Sequence, residues 1–269
     1  MADKKKGIVM SVIQEKGGQG KSNSILNIAY FLAQKHKVLI IDLDGQAADI
    51  TYYLLGNNVG NSKDPKRSDI YTIIDVFNKD FDVNDAIIPV NLFLDVIPAN
   101  INVTNISSIH KISRFKKVMA DLKQDYDFIL IDVPPTPNWS HALCLSVCDY
   151  VMPIVNPDPA SPKAFISLND SIQEVQETTN FNLEYLGVIA NKYDDRTNIS
   201  KAIIGEIARI SETLETSLFE TKIHQSVKLN EQTIYHKSIF EYAPNTKAAK
   251  EYMSLGNEIL DRLKEKGVY

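Results

Sequence analysis

Glu15-Lys16-Gly17-Gly18-Gln19-Gly20-Lys21-Ser22 is a glycine turn carrying two lysines, and its flanks decide the fold. The run Gly7-Ile8-Val9-Met10-Ser11-Val12-Ile13 before it is apolar and β-branched, and Ser24 to Leu32 after it has helical spacing. Strand, glycine loop and helix are the context that a phosphate-binding loop requires. Glycines let backbone N–H groups approach phosphate oxygens, and the helix N-terminus behind them favours an anion. In such a loop Lys21 reaches the β/γ-phosphates and the Ser22 hydroxyl holds Mg²⁺. The bland alternative is a glycine turn with incidental lysines.

Further along the chain, Lys37 to Asp42 reads as a buried strand. Leu92 to Ile97, Phe128 to Asp132, Tyr150 to Val155 and Leu186 to Ala190 repeat its apolar, β-rich character. Segments of helical periodicity lie between them, such as Ile101 to Lys123 and Lys201 to Leu214. Strands alternating with helices predict an α/β fold, a mostly parallel twisted sheet with helices on both faces. Ligands in such sheets bind beyond the carboxyl ends of the strands, where the glycine loop lies. Two of the strands end in carboxylates there. Asp42-Leu43-Asp44-Gly45-Gln46 closes the second strand, and Phe128-Ile129-Leu130-Ile131-Asp132-Val133-Pro134-Pro135 reads as a Walker B element. Asp42 and Asp44 beside a phosphate loop repel phosphate unless Mg²⁺ or water intervenes, and Asp132 at its strand end can orient a Mg²⁺-bound water beside Ser22.

At 269 residues and 44% apolar composition the chain can bury one sizeable core, and residues 1–269 are expected to form a single domain. Cys144 and Cys148 sit four apart in an expected helix, a spacing that suits neither a disulfide nor the usual metal pairs, so a reducing cytosol is expected. Met1 to Lys6 leads into a strand without the apolar region of a signal peptide, and no apolar run is long enough to span a bilayer. A net charge of −5 argues against a protein that coats DNA generally. The polar stretch Gly60 to Ser68 reads as a surface loop.

The usual loop formula has glycine where this chain has Glu15, and a lysine follows at once, giving K-G-G-x-G-K-S. This resembles the deviant Walker A loop of the ParA/MinD family of P-loop ATPases, and the likeness extends over nearly the whole chain. The resemblance implies binding of ATP and Mg²⁺ by Gly17, Gly18, Gln19, Gly20, Lys21, Ser22 and Asn23. It further implies a homodimer in which each Lys16 crosses to the partner's nucleotide, with Asp44 positioning the attacking water and Asp42 near the metal. The Asp-x-Pro-Pro ending at Asp132 resembles the switch II segment of ParA proteins. Gly45 departs from the Asp-Pro-Gln of most relatives and implies a looser turn.

Asn191-Lys192-Tyr193-Asp194 matches the N-K-x-D pattern with which GTPases read guanine, but Tyr193 to Asn198 also resembles the Tyr-Asp-x-Arg-Thr-Asn segment of ParA ATPases. ATP is favoured, with Asn191 as adenine contact, and GTP stays open. The segment Phe219 to Glu231 resembles the ParA stretch whose arginines touch DNA phosphates. Here His224-Gln225 stands at the Pro-Arg positions and Lys228 keeps the second charge. Arg196, Lys222 and Lys228 are thus the expected DNA contacts, with Lys201, Lys247 and Lys250 as neighbours. Between Asn191 and Lys250 nine Lys/Arg face eight Asp/Glu, so charge alone leaves solvated helix faces as the alternative. The family implies a cytoplasmic, nucleoid-associated partition protein that binds double-stranded DNA without sequence preference and is stimulated by a ParB-like partner. A MinD-like membrane or cargo-positioning ATPase is the rival. It needs a basic amphipathic tail, whereas Tyr252, Leu255, Ile259 and Leu263 suggest a last helix packed on its own sheet.

Overall fold

The computed structural model describes residues 6–45, 49–56, 70–100, 109–136 and 139–269. Its first half runs β1 (Ile8–Ile13), α1 (Lys21–Leu32), β2 (Val38–Asp42), α2 (Asp49–Leu55), α3 (Ile73–Val76), β3 (Ile88–Pro89), β4 (Leu94–Ile97), α4 (Ile109–Leu122) and β5 (Phe128–Asp132). The second half runs α5 (Trp139–Leu145), β6 (Tyr150–Val155), α6 (Ser161–Thr178), β7 (Glu184–Tyr185), β8 (Val188–Tyr193), α7 (Asn198–Thr213), β9 (Leu218–His224), α8 (Val227–Ile234), α9 (Ile239–Tyr242) and α10 (Lys247–Glu265).

The strands form one sheet in the order β3-β4-β2-β5-β1-β6-β8-β9, with β7 beside β6. Every pairing is parallel except β3 with β4. β1, β2, β5 and β6 are buried along their whole length, as strands covered on both faces must be. Alternate residues divide between two apolar layers. Ile8, Met10 and Val12 pack with Ile25 and Ile28 of α1 and with Tyr252, Leu255, Ile259 and Leu263 of α10. Val9, Ile13, Ile129 and Ile131 pack on the other side with Phe115 of α4, Leu143 of α5 and Leu168 and Ile172 of α6. The expected mostly parallel sheet with helices on both faces is what the chain forms, and its last helix lies on its own sheet.

Several boundaries differ from expectation. The strand expected at Leu186 to Ala190 is β8, Val188–Tyr193, set off from β7 by Gly187 at φ 157°. A Cβ at Gly187 would meet Arg262 Nη1 at 2.2 Å, so the position has no room for a side chain as the two are placed. Cys148 lies beyond the end of α5, and its Sγ is 3.6 Å from that of Cys144, both thiols free and buried. Lys222 stands on strand β9 rather than on a helix. The first residues of the helix expected from Ile101, and the loop expected at Gly60 to Ser68, lie outside the described residues.

β9 is the last strand in this order, and α10 covers its open edge. Glu258 accepts the N–H groups of Glu220 and Thr221 at 2.8 and 3.1 Å, and Glu251 accepts that of His224 at 2.9 Å. Carboxylates thus take up donors that an edge strand otherwise offers to another chain.

Candidate functional site

In the sheet order the chain leaves β1 with β5 on one side and β6 on the other. The glycine turn after β1 therefore sits at the switch point, between the carboxyl ends of its neighbours. Side chains pin its approach. Gln14 Nε2 donates to the Ile154 carbonyl at 3.2 Å, and Ser171 Oγ of α6 donates to Glu15 Oε1 at 2.8 Å. Glu15, the residue that breaks the common formula, is an anchor to α6. Gly18 and Gly20 have φ of 71° and 90°, backbone that glycine adopts without strain. A Cβ on Gly20 would lie 2.6 Å from Asn191 Nδ2.

α1 starts at Lys21, and among the described residues no side chain caps it. Its first residues line a cavity of about 710 Å³ together with Gly18, Gln19, Gly20, Asp44, Pro135 and Asn191, among others. An uncapped helix end behind a glycine turn is an anion site.

Ser22 Oγ donates to Asp132 Oδ2 at 2.7 Å. Asp132 is fully buried, and its Oδ1 meets no donor among the described residues. Burial first, then the neighbouring Asp42, pushes the Asp132 carboxyl well above the usual carboxylate range, against the pull of Ser22 and Lys21. A buried carboxylate oxygen without a donor, beside a serine hydroxyl and a phosphate cradle, fits a hard divalent cation. Among the described residues no three or more His, Cys, Asp and Glu side chains form a cage.

Asp42, expected near the metal, pairs in register with Asp132. Its Oδ1 accepts the Asp44 N–H at 2.8 Å and its Oδ2 accepts the Thr51 N–H and hydroxyl at 3.0 and 2.6 Å. Asp42 thus also braces the turn and the first residues of α2. Burial raises its carboxyl to about 7, against those hydrogen bonds. Asp44, two residues on, is buried and lines the cavity.

The two lysines of the turn part company. Lys21 is buried and lines the cavity. Lys16 is not among the lining residues. Its side chain is 40% exposed and its Nζ lies 3.1 Å from Asp158 Oδ2 in the β6–α6 connection. Hydrogen bonds from the Ala160 N–H and from Lys16 hold the Asp158 carboxyl below its usual value.

Asn191, expected against a base, donates its amide to the Gln19 carbonyl at 2.7 Å and to Asn156 Oδ1 at 3.3 Å. Lys192 Nζ donates to the Gly18 carbonyl at 2.8 Å. These neighbours brace the turn across more than 170 positions of sequence. Asp194 is not among the cavity residues, and Arg196 holds both its oxygens at 2.9 and 2.8 Å.

Sequence reasoning missed the rest of the cavity wall. His224, Gln225 and Ser226, read as part of a DNA-facing stretch, line the cavity together with Tyr52, Tyr53 and His236. His224 Nδ1 lies 2.6 Å from Glu251 Oε1, and its Nε2 is 3.5 Å from Asp195 Oδ2. The helical spacing of Asp49 to Leu55 is the one local signal that could have marked α2. Arg196, Lys222 and Lys228 lie on or beside β8, β9 and α8. The Arg196 side chain is 84% exposed beside Asp194, Lys228 Nζ donates to Glu231 at 2.7 Å, and Lys222 Nζ lies 4.9 Å above the Tyr193 ring.

Residues 7–185 match the family described as AAA domain. The chain is similar to the sporulation initiation inhibitor protein Soj of Bacillus subtilis, 28% identical over 94% of this chain and 98% of that one. Among solved structures it resembles a putative plasmid partition protein from Borrelia burgdorferi bound to AMPPNP, with a TM-score of 0.76, 23% identity and coverage of 97% and 100%. It also resembles cobyrinic acid a,c-diamide synthase from Mycobacterium smegmatis with bound ADP and magnesium, with a TM-score of 0.77, 22% identity and coverage of 97% and 96%. At these identities the two structures speak for the fold.

Proposed function

The chain belongs to the AAA domain family, with ParA-type partition ATPases as its relatives, and on that premise we propose that it is an ATP-driven DNA partition protein acting as a single domain. ATP enters the cavity with its phosphates on the Gly17–Ser22 turn and the N-terminus of α1. Lys21 meets the β/γ-phosphates, Asn23 stands in the first turn behind it, and Ser22 with Asp132 holds Mg²⁺. Bound Mg²⁺ neutralises phosphate charge that Asp132 would otherwise repel. Asp44 orients the attacking water from the turn that Asp42 braces. Two subunits close face to face, and Lys16 of each reaches the nucleotide of the other, adding positive charge where the transferring phosphoryl group needs it.

One observation carries this reading. Of two lysines five positions apart, Lys21 is in its own cavity and Lys16 is outside it, on the surface. A cation placed there serves a neighbouring subunit more readily than its own. With Asp194 held by Arg196, ATP is the favoured nucleotide, and Asn191 bears on it by shaping the turn. Arg196, Lys222 and Lys228 supply the phosphate contacts to double-stranded DNA, doubled in number by dimerisation. Hydrolysis, stimulated by a ParB-like protein, parts the subunits and releases the DNA from the nucleoid. For the membrane-bound rival the last helix is unfavourable, because α10 buries its apolar side in the core. No helix among the described residues is long and apolar enough to cross a membrane.

DNA retention measured with ATP, with ADP and without nucleotide, beside liposome sedimentation, tests the proposal. ATP-dependent, salt-sensitive retention is expected, reduced about tenfold or more in Arg196→Ala/Lys228→Ala while nucleotide binding persists. Sedimentation with anionic liposomes and none on DNA would contradict it.

A further inference from the structure

We propose that His141 is a positioning residue, holding the loop after β5 against the phosphate turn and coupling that loop to α5. The inference rests on the nucleotide-hydrolysing function proposed above. The loop Asp132-Val133-Pro134-Pro135 starts at the carboxylate that accepts the Ser22 hydroxyl. Its two prolines have no N–H, so backbone donors of their own cannot fasten this stretch. An outside donor does so. His141 Nε2, on α5, donates to the Pro134 carbonyl at 2.6 Å, and His141 is 5% exposed. The next residue, Pro135, lines the nucleotide cavity and lies under the glycine turn, where a Cβ on Gly17 would stand 3.7 Å from its Cβ.

The loop is thus tied to Ser22 at Asp132 and to a helix at Pro134, and Pro135, just beyond the second tie, lies against the turn. Burial, assisted by Lys21, lowers the His141 pKa, against the Pro134 carbonyl, Glu15 and Asp44. The ring is neutral at physiological pH with its proton on Nε2, where the carbonyl needs it. The imidazole acts on the backbone of the loop, through the Pro134 carbonyl. Its effect is therefore on the placement of the loop during turnover rather than on capture of the nucleotide.

The chain carries its own reporter. Trp139, its single tryptophan, opens α5 two residues before His141, with its buried Nε1 meeting no protein partner among the described residues. The test uses the full chain with Mg²⁺, ATP and AMPPNP. His141→Leu removes the donor, and His141→Gln places an amide donor near the position of Nε2. In the leucine variant kcat is expected to fall about tenfold or more, with KM and AMPPNP affinity within about threefold of the parent. The Trp139 emission change that AMPPNP produces in the parent is lost with it. The glutamine variant restores kcat to within about threefold, together with the emission change. If His141→Leu does not fold, His141→Phe keeps a ring without the donor and decides the same question.

A donor-less variant with parental kcat and an unchanged Trp139 response would overturn the proposal. So would kcat and AMPPNP affinity falling together in both the leucine and glutamine variants, the mark of a merely structural role. A parent chain that binds AMPPNP with a Trp139 change but hydrolyses nothing would refute the parent function alone, and the emission change in the variants would then decide the role of His141. A parent that binds no nucleotide would overturn both.

Discussion

Two buried aspartates, side by side at the ends of neighbouring strands, set the local chemistry. An acid whose pKa rises on folding keeps a proton that the unfolded chain gives up. Its contribution is favourable at low pH and is lost as pH rises from the unfolded value to the folded one. With Asp42 raised from 3.8 to about 7, the nucleotide-free chain is expected to lose stability between about pH 4 and pH 7 and to level off above that. Thermal melts at pH 5.5 and 8 check this. The Asp42 contribution lowers Tm at the higher pH, and Asp132→Asn flattens the difference by removing a second buried carboxyl whose pKa burial also raises. A Tm difference unaltered in Asp132→Asn would contradict the assignment. Lys21→Ala leaves the phosphate end of the cavity without its cation and is expected to lower nucleotide affinity at least about a hundredfold, as read by titration with a fluorescent ATP analogue. The residues around this centre differ in how far sequence discloses them. Lys21, Ser22 and Asp132 are legible because short-range pattern places them at strand and helix ends. Asp42 is legible as a position but not as a brace, since its partner Thr51 lies beyond the end of the strand. Asn191 and Lys192 meet Gln19 and Gly18 only through tertiary structure, and their sequence suggests a base contact instead.

Among the elements, strands buried on both faces are the most readable, because nothing but an apolar β-rich run fits there. β5 and β6 have the bounds read from sequence, Phe128–Asp132 and Tyr150–Val155. β8 is less readable. Arg262 and Phe219, distant in sequence, set its start by crowding Gly187. β9 reads poorly because only Phe219 and Ile223 of its residues are buried, and its edge is protected by α10. Glu258 receives two β9 N–H groups and also meets Arg262 Nη2 at 3.0 Å, while Arg262 donates to the Leu186 and Leu218 carbonyls. Glu258→Ala is therefore expected to destabilise the chain by about 1–3 kcal/mol in denaturant melts. It should also promote concentration-dependent association through the uncovered edge. Glu258→Gln, which still accepts hydrogen bonds, is expected to lose less. An alanine variant as stable as the parent would show that the edge needs no such cover.

At the scale of the molecule, the nucleotide cavity and the expected DNA face share one stretch of chain. His224 to Ser226 line the cavity, and Lys222 and Lys228 flank them on β9 and α8. A change in the cavity thus has a short path to the cations. Arg196, Lys228 and Lys247 each sit beside a carboxylate, Asp194, Glu231 and Glu251, so a single subunit presents only weakly favourable charge to DNA. Two subunits acting together would double the phosphate contacts and steepen the salt dependence. This places the whole account on ATP-driven pairing of subunits through Lys16. Sedimentation velocity with saturating ATP and Mg²⁺ in the Asp44→Ala background, with and without Lys16→Ala, tests it most directly. The account predicts a dimer for Asp44→Ala and a monomer with equal nucleotide occupancy once Lys16 is also replaced. A full complement of dimer without the Lys16 ammonium would contradict it.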